Sequence, residues 1–453
     1  MSASISTGPQ AASDARDDAP AGGWLEGALQ RIHPAWVAIG LLLLAAVVYF
    51  SSNPARSDFY DHFVWQADAF LQGRAEISYP VSEGAYRNDY FQDVLPVAPG
   101  RAQIPFPPLP AIVLLPFVAI WGLGTNGAAV AAGLGAVNVA LCWLMLLGVT
   151  PRRSAALLGA LFYGFGTVAW YAAMLGTTWF LAHVVASTFL FIAIAAAVRA
   201  DGARDTMGRQ LGAGIAFGLA ATARLTTIFG APFFVFVGGG GSWLRRAVAA
   251  GAGALIPVLL LLAYNLVTTG ALLHPAYEHL YEVEYRPRPE LVNPDWAIED
   301  PRYIPQNAGI MLAQPPLTPL LDDPACAGEA VTSASLLDPE CPLLRPDPIG
   351  MSILLTSPGY LLLVPVVWRD WRRRIVAGAA LAVLSIALID LMHFSQGWVQ
   401  FGYRFSNDFA PFATVLVALG IARVGIGAIS LGLVAASIAV NAWGVYWGVS
   451  LGW

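Results

Sequence analysis

The sequence has no lysine: all 24 of its basic residues are arginine. Schiff-base or pyridoxal chemistry on a lysine is therefore excluded. Cysteine is scarce too, with three in 453 residues, too few for a thiolate metal cage or cluster. Charge of either sign is rare, at 12% of residues against 57% hydrophobic, and the mean hydropathy is +0.62. A soluble domain of this length needs far more charge to cover its surface, so lipid is the solvent for much of the chain. The net charge of −5, with no basic run, argues against a nucleic-acid partner.

Residues 1–33 are rich in Ala, Ser, Gly and Asp and lack the apolar core and cleavage site of a secretory signal. They read as a disordered cytoplasmic tail, closing with an interfacial turn around Trp24 to Arg31. Residues 34–453 read as one transmembrane domain. Apolar runs mark spans near 34–51, 126–148, 155–172, 178–198, 247–267, 353–368, 375–393, 405–422 and 425–447.

Two stretches need separate argument. Residues 104–122, IPFPPLPAIVLLPFVAIWG, are short, open with prolines and are interrupted by Pro116. A non-crossing helix on the outer face keeps Arg152 and Arg153 inside, as the positive-inside pattern requires. Residues 211–238 have Arg199, Arg204 and Arg209 before them and Arg245 and Arg246 after, so they form a hairpin. As helix, 28 residues reach about 42 Å, against the roughly 60 Å of two full passes. The turn therefore falls inside the bilayer, near Arg224.

The expected fold is an all-α polytopic membrane protein of about eleven transmembrane helices, N-terminus inside and C-terminus outside. Two long outer loops span about 52–104 and 268–352. Cys326 and Cys341 lie in the second, where an outer compartment permits a disulfide; two free thiols are the alternative. Cys142 lies mid-span and serves packing. No internal repeat is visible, a point against a secondary transporter.

Asp58, Asp61 and His62 stand within a turn of one another after the first span, where an amphipathic helix begins. A helix cap is the plain reading of Asp58. This long outer loop opening with Asp resembles the GT-C superfamily of membrane glycosyltransferases. IPFPPLPAIVLLPF after the loop, TWFLAHVVAS at a span entry and the late WVQFGYRFSNDFAPF are similar to uncharacterised bacterial relatives. There is no Trp-Trp-Asp triplet, which sets the oligosaccharyltransferase subunits apart.

The resemblance implies a bacterial cytoplasmic-membrane enzyme with an outward-facing site, moving sugar from a polyprenyl-phosphate carrier to a glycan, lipid or protein acceptor. It carries the base that deprotonates the acceptor hydroxyl onto Asp58. Phe59 stands where several relatives have Glu, so Asp61 is a second candidate, as base or as a residue positioning the sugar. Arg224 and Arg404 are the candidate ligands of the departing phosphate, since a guanidinium matches phosphate oxygens bidentately. The alternatives are a structural ion pair for Arg224, and snorkelling or an i+4 pair with Asp408 for Arg404. Tyr403 and Trp398 suit donor stacking or a lipid groove, or else an interfacial aromatic belt. His62 and His183 are candidate cavity-lining residues, with an interhelical hydrogen bond the plainer reading of His183. No metal site is assigned, though a divalent cation stays open at His274, Glu278, His279 and Glu282, which otherwise form a solvated helix. A flippase for a lipid-linked glycan and a non-catalytic envelope assembly protein are the rival functions.

Overall fold

The computed structural model describes residues 23–55, 60–78, 93–98, 100–201, 206–282, 286–287, 293–397 and 399–453. Asp58 and Trp398 lie outside the described residues.

Helix α1 (Trp24–Arg31) precedes α2 (Pro34–Ser52), the first long apolar helix, which opens on a proline where no backbone donor is needed. Glu26 of α1 accepts hydrogen bonds from the Arg153 and Ser154 amides at 3.0 and 2.8 Å, so the folded part begins before residue 34. The first long loop adds α3 (His62–Leu71), then strands β1 (Ile77–Ser78), β2 (Leu95–Ala98) and β3 (Arg101–Gln103). The strands pair antiparallel in the order β1-β3-β2, with Ile77 opposite Ala102 and Leu95 opposite Gln103. Helix α4 (Leu109–Trp121) has 13 residues with Pro116 inside. It reaches about 20 Å, short of the roughly 30 Å hydrocarbon layer.

Helix α5 (Gly127–Val149) starts on an Asn126 cap and leads to α6 (Arg153–Phe165) and α7 (Ala169–Leu175), bent by 48° from each other. Helices α8 (Thr178–Ala200) and α9 (Met207–Ala221) follow. After α9 the chain breaks at Thr222–Arg224, makes a 3-10 turn at Leu225–Gly230, and forms α10 (Pro232–Phe236) before α11 (Trp243–Thr269). The second loop carries α12 (Ala276–Leu280), α13 (Ile304–Ala313) and α14 (Pro319–Asp322). A disulfide joins Cys326 to Cys341. The chain closes with α15 (Ile353–Thr356), a 3-10 turn at Pro358–Leu363, α16 (Val364–Asp370), α17 (Arg374–Met392), α18 (Ser406–Val424) and α19 (Ala428–Ser450).

Among the described residues, seven helices are long and apolar enough to cross a membrane, and the bent α6–α7 pair makes an eighth. The span expected at 353–368 is instead three short pieces, α15, the 3-10 turn and α16. Pro358 and Pro365 remove backbone donors there and interrupt the helix. The stretch 211–238 likewise forms no full-length helix, and its break coincides with Arg224. Leu43, Val47, Leu259, Leu260, Val267, Leu384 and Ile429 stand exposed on the outer helices. Lipid accepts such a surface and water does not. The chain is an all-α, polytopic, integral membrane protein.

Packing centres on α18, in which every residue from Ser406 to Ile421 is buried. Helices α9 and α11 touch backbone to backbone, because a β-carbon at Gly214 would lie 2.1 Å from the Ala250 carbonyl oxygen. The two ends of the bundle differ. At one end Arg153 bonds the Leu29 carbonyl, Arg199 the Leu144 carbonyl, Arg374 pairs with Asp201 and Arg423 with Asp370. At the other lie the long loops, tied down by Gln103 to the Thr268 carbonyl at 2.8 Å and by a bridge between Glu299 and His393.

Candidate active site

The loop-bearing end gathers the first turns of α8 and α18, the break after α9 and the last turn of α17. Asp408, in the first turn of α18, is 1% exposed, and three residues converge on its carboxylate. His183 Nδ1 lies 2.7 Å from Oδ1. Arg224 donates from Nη2 to Oδ2 at 2.8 Å and from Nε at 3.2 and 3.3 Å to the two oxygens. Thr226 donates to Oδ2 at 2.6 Å. The carboxylate thus ties α8, the α9 break and α18 together. Arg224's partner is Asp408, and Asp408 is not engaged by Arg404 in an i+4 pair among the described hydrogen bonds and ion pairs. Through Nε and Nη2 the guanidinium serves this structural pair, while its side chain keeps 16% exposure.

His183 is enclosed at 1% exposure and borders a cavity of about 10 Å³ with Asn138, Tyr163, Ser187 and Asn407, room for a single water. Its bond to Asp408 joins α8 to α18. His62 is also fully buried: its Nδ1 lies 2.8 Å from Thr178 Oγ1, and its amide donates to the same oxygen at 3.2 Å. Thr178 Oγ1 in turn donates to the Tyr60 carbonyl, so His62 latches α3 to the start of α8. Tyr403 is 0% exposed, packed among Ile310, Met311, Leu391 and Phe405. Enclosure on every side leaves it no face for stacking on a donor.

Asp61 is partly exposed at the start of α3, and a β-carbon at Gly127 would lie 2.8 Å from its Oδ1. Its carboxylate therefore occupies the space beside the first turn of α5. Arg404, partly exposed just before α18, lays its guanidinium 5.2 Å over Phe405 and 5.9 Å over Phe180. Gly397, at φ +90, leaves it that room, since a β-carbon there would sit 2.6 Å from the guanidinium.

The same end holds further groups, of which the sequence singled out Asp390 alone, as a polar residue near the outer end of its span. Asp93, just before β2, has φ +63 and accepts a hydrogen bond from the Trp179 indole at 2.7 Å. Burial pushes its carboxyl up, against the opposing pull of His62, the Trp179 donor, Arg404 and His393. Tyr60 packs on Trp179 with ring centroids 5.0 Å apart. Tyr277 on α12 stands edge-on to Phe106, and burial raises its phenol to about 12, eased by the nearby charge of Arg224. Asp390, in the last turn of α17, is 2% exposed with neither carboxylate oxygen hydrogen-bonded among the described residues. Asp93 carried one faint signal, an acid late in the first outer loop; nothing in the sequence linked it to Trp179.

Among the described residues no group of three or more His, Cys, Asp or Glu is placed to hold a metal ion. In the segment of His274, Glu278, His279 and Glu282, Glu282 pairs with Arg286 at 2.6 Å and His274 accepts from the Ala276 amide. A separate apolar groove of about 470 Å³ runs between α3, α4, α9 and α11. Phe70, Ile112, Leu219, Leu260 and Tyr264 line it, with Arg74 at one edge and Thr222 two residues before Arg224.

No family model matches the chain, and no curated protein matches it in sequence. Solved structures are similar to it at low identity. ArnT from Cupriavidus metallidurans bound to undecaprenyl phosphate shares 13% identity, with a TM-score of 0.48 over 93% of this chain and 77% of that one. The apo oligosaccharyltransferase of Archaeoglobus fulgidus shares 14%, with a TM-score of 0.44 over 91% of this chain and 56% of that one. The archaeal oligosaccharyltransferase AglB from the same organism, in complex with an inhibitory peptide and a dolichol-phosphate, shares 12% with a TM-score of 0.48, covering 92% and 55%. The chain spans about half the length of the oligosaccharyltransferases it matches. Each of these similarities runs along about nine-tenths of this chain, at 12–14% identity.

Proposed function

We propose that the chain is a membrane glycosyltransferase that moves a sugar from a polyprenyl-phosphate carrier to an extracytoplasmic acceptor. The observation that carries this reading is the convergence of Arg404, Asp93, Trp179 and Tyr277 at the loop-bearing end, opposite the bonded arginines Arg153, Arg199, Arg374 and Arg423. By the positive-inside pattern that end faces outward. A cation beside an aromatic wall suits a sugar phosphate, and the apolar groove ending near Arg224 suits a prenyl tail.

In the reaction, the acceptor oxygen bonds to the anomeric carbon as the bond from that carbon to the phosphate oxygen breaks. The polyprenyl phosphate leaves with the electron pair. The acceptor proton passes to a carboxylate on the face opposite the phosphate, a role we give to Asp58, with Asp61 auxiliary. Arg404 is the principal phosphate ligand. Arg224, already paired with Asp408, contributes through the part of its guanidinium that the pair leaves over. Positioning and electrostatic stabilisation of the departing phosphate supply the catalysis.

The test is turnover of radiolabelled polyprenyl-phosphate sugars by purified protein in lipid nanodiscs, wild type beside Asp58→Asn. Sugar release by the wild type and its loss in the variant are the expected pair. Turnover unchanged by the substitution would move the base to Asp61. Carrier binding without release, for every donor offered, would instead favour a lipid-linked glycan flippase.

A further inference from the structure

Asp93 is held in an uncomfortable place. A non-glycine residue at φ +63 sits in the sparsely populated left-handed region, and such strain persists where surrounding structure fixes it. Here the fixing contact is the Trp179 indole, which donates to Oδ2 at 2.7 Å. Oδ1 accepts no hydrogen bond among the described residues. Asp93 is partly exposed, so that oxygen is open to a donor from outside the protein.

The surroundings select the chemistry of that something. Trp179 and Tyr60 meet at 5.0 Å with their planes tilted by 59°, making an aromatic corner at the carboxylate. Tyr60, Asp93, Trp179, Tyr277 and Arg404 are each partly exposed, and Asp93 feels the charge of Arg404. A pyranose ring offers hydroxyl donors at its edge and a C–H face to pack on a ring. A carboxylate beside an aromatic corner complements both. A sugar phosphate would further place its phosphate toward Arg404.

We propose that Asp93, Trp179 and Tyr60 form the subsite for the carrier's sugar, with Asp93 accepting hydroxyl hydrogen bonds and the aromatic corner packing on the ring face. This rests on the glycosyltransferase reading above and names a part of that site. Asp93 is here a sugar-binding residue and not the base, so its loss should fall on sugar recognition and leave carrier recognition intact.

The experiment measures equilibrium binding to the full chain in nanodiscs, without acceptor. The probes are undecaprenyl phosphate, undecaprenyl-phosphate glucose and undecaprenyl-phosphate mannose. Wild type should bind one of the two sugar lipids about tenfold more tightly than the bare carrier, from one or two charge-assisted hydrogen bonds. Asp93→Asn should abolish that preference with bare-carrier affinity unchanged, which also shows that the variant is folded. Should Asp93→Asn fail to bind even the bare carrier, Trp179→Phe decides instead. It removes the indole donor and trims the aromatic corner while keeping a ring there, and should reduce the preference about threefold. A preference retained in the deciding variant, or absent from the wild type, overturns the subsite. Bare-carrier binding in that case leaves the lipid-phosphate reading standing. Wild type that binds none of the three lipids ends both.

Discussion

Asp408 and Arg224 hold α18 to the break after α9, carboxylate oxygen to guanidinium nitrogen at 2.8 Å, with His183 on the carboxylate's other oxygen at 2.7 Å. The residues lie 184 positions apart in sequence. Each is costly to bury alone and tolerable only with its partner.

Removing one partner therefore strands the other. Asp408→Ala should destabilise the folded protein by about 3–5 kcal/mol, and Arg224→Ala by a comparable amount. The double variant should lose much less than the sum, because neither charge is then left uncompensated. Thermal unfolding of the four proteins in one detergent checks this; additive losses would mean that the pair is not coupled.

Arg404 is the proposed ligand of the departing phosphate. Arg404→Ala should lower kcat/KM by about 10- to 100-fold, the worth of a hydrogen bond to a charged group. Arg404→Lys should recover part of the loss, since lysine restores the charge without the planar fork. Steady-state kinetics at varied donor concentration separates the two; equal activity in all three proteins would remove Arg404 from the site.

The proposed base is Asp58, with Asp61 auxiliary. Asp58→Asn should cost about 10²- to 10⁴-fold in turnover with carrier affinity preserved, and Asp61→Asn should cost less. The reverse order would exchange their roles. Single-turnover measurements with the donor pre-bound separate this loss from weakened binding.

Asp93 gives stability a definite pH dependence. Its folded carboxyl titrates above the ordinary aspartate range, chiefly through burial. The unfolded state therefore ionises first as pH rises, so wild type loses stability as pH climbs from below the unfolded value through the folded one. Asp93→Asn cannot ionise. It should melt higher than wild type at neutral pH, and the advantage should vanish below about pH 4. Melting curves of both proteins across that range decide it.

The Cys326–Cys341 bridge closes a loop of sequence separation 15 within the second outer segment. Cutting it should cost that segment about 3 kcal/mol of loop-closure stabilisation. Limited proteolysis should then find the region 317–345 more readily cleaved after reduction, or in a Cys326→Ser, Cys341→Ser double variant. An unchanged digestion pattern would show that the loop is held by its other contacts, such as the paired backbone of Leu317 and Arg345.

How much of this was legible in the chain differs from residue to residue. The long apolar runs of α2, α5, α8, α11, α17, α18 and α19 were plain, because each sums a local preference for lipid over water. The break near Arg224 followed from the flanking arginines together with length, since 28 residues cannot span twice. The segment at 353–368 misled, because its hydropathy suits a span while its prolines forbid a continuous helix. Tyr403 suited a ligand by type and is enclosed, which only neighbours distant in sequence could reveal.

The sequence by itself determined that this is a helical membrane protein, that its apolar runs are broken by prolines and by Arg224, and that Asp58 and Asp61 follow the first of those runs. Those are sums over neighbouring residues, and each residue contributes without reference to the rest. The tertiary structure alone decided that Asp408 belongs to Arg224 and His183, and that Asp93 answers to Trp179 across 86 positions. Such pairings depend on which face of a helix meets which neighbour. Close contact through small residues such as Gly214 fixes that meeting, and a hydropathy profile does not register it.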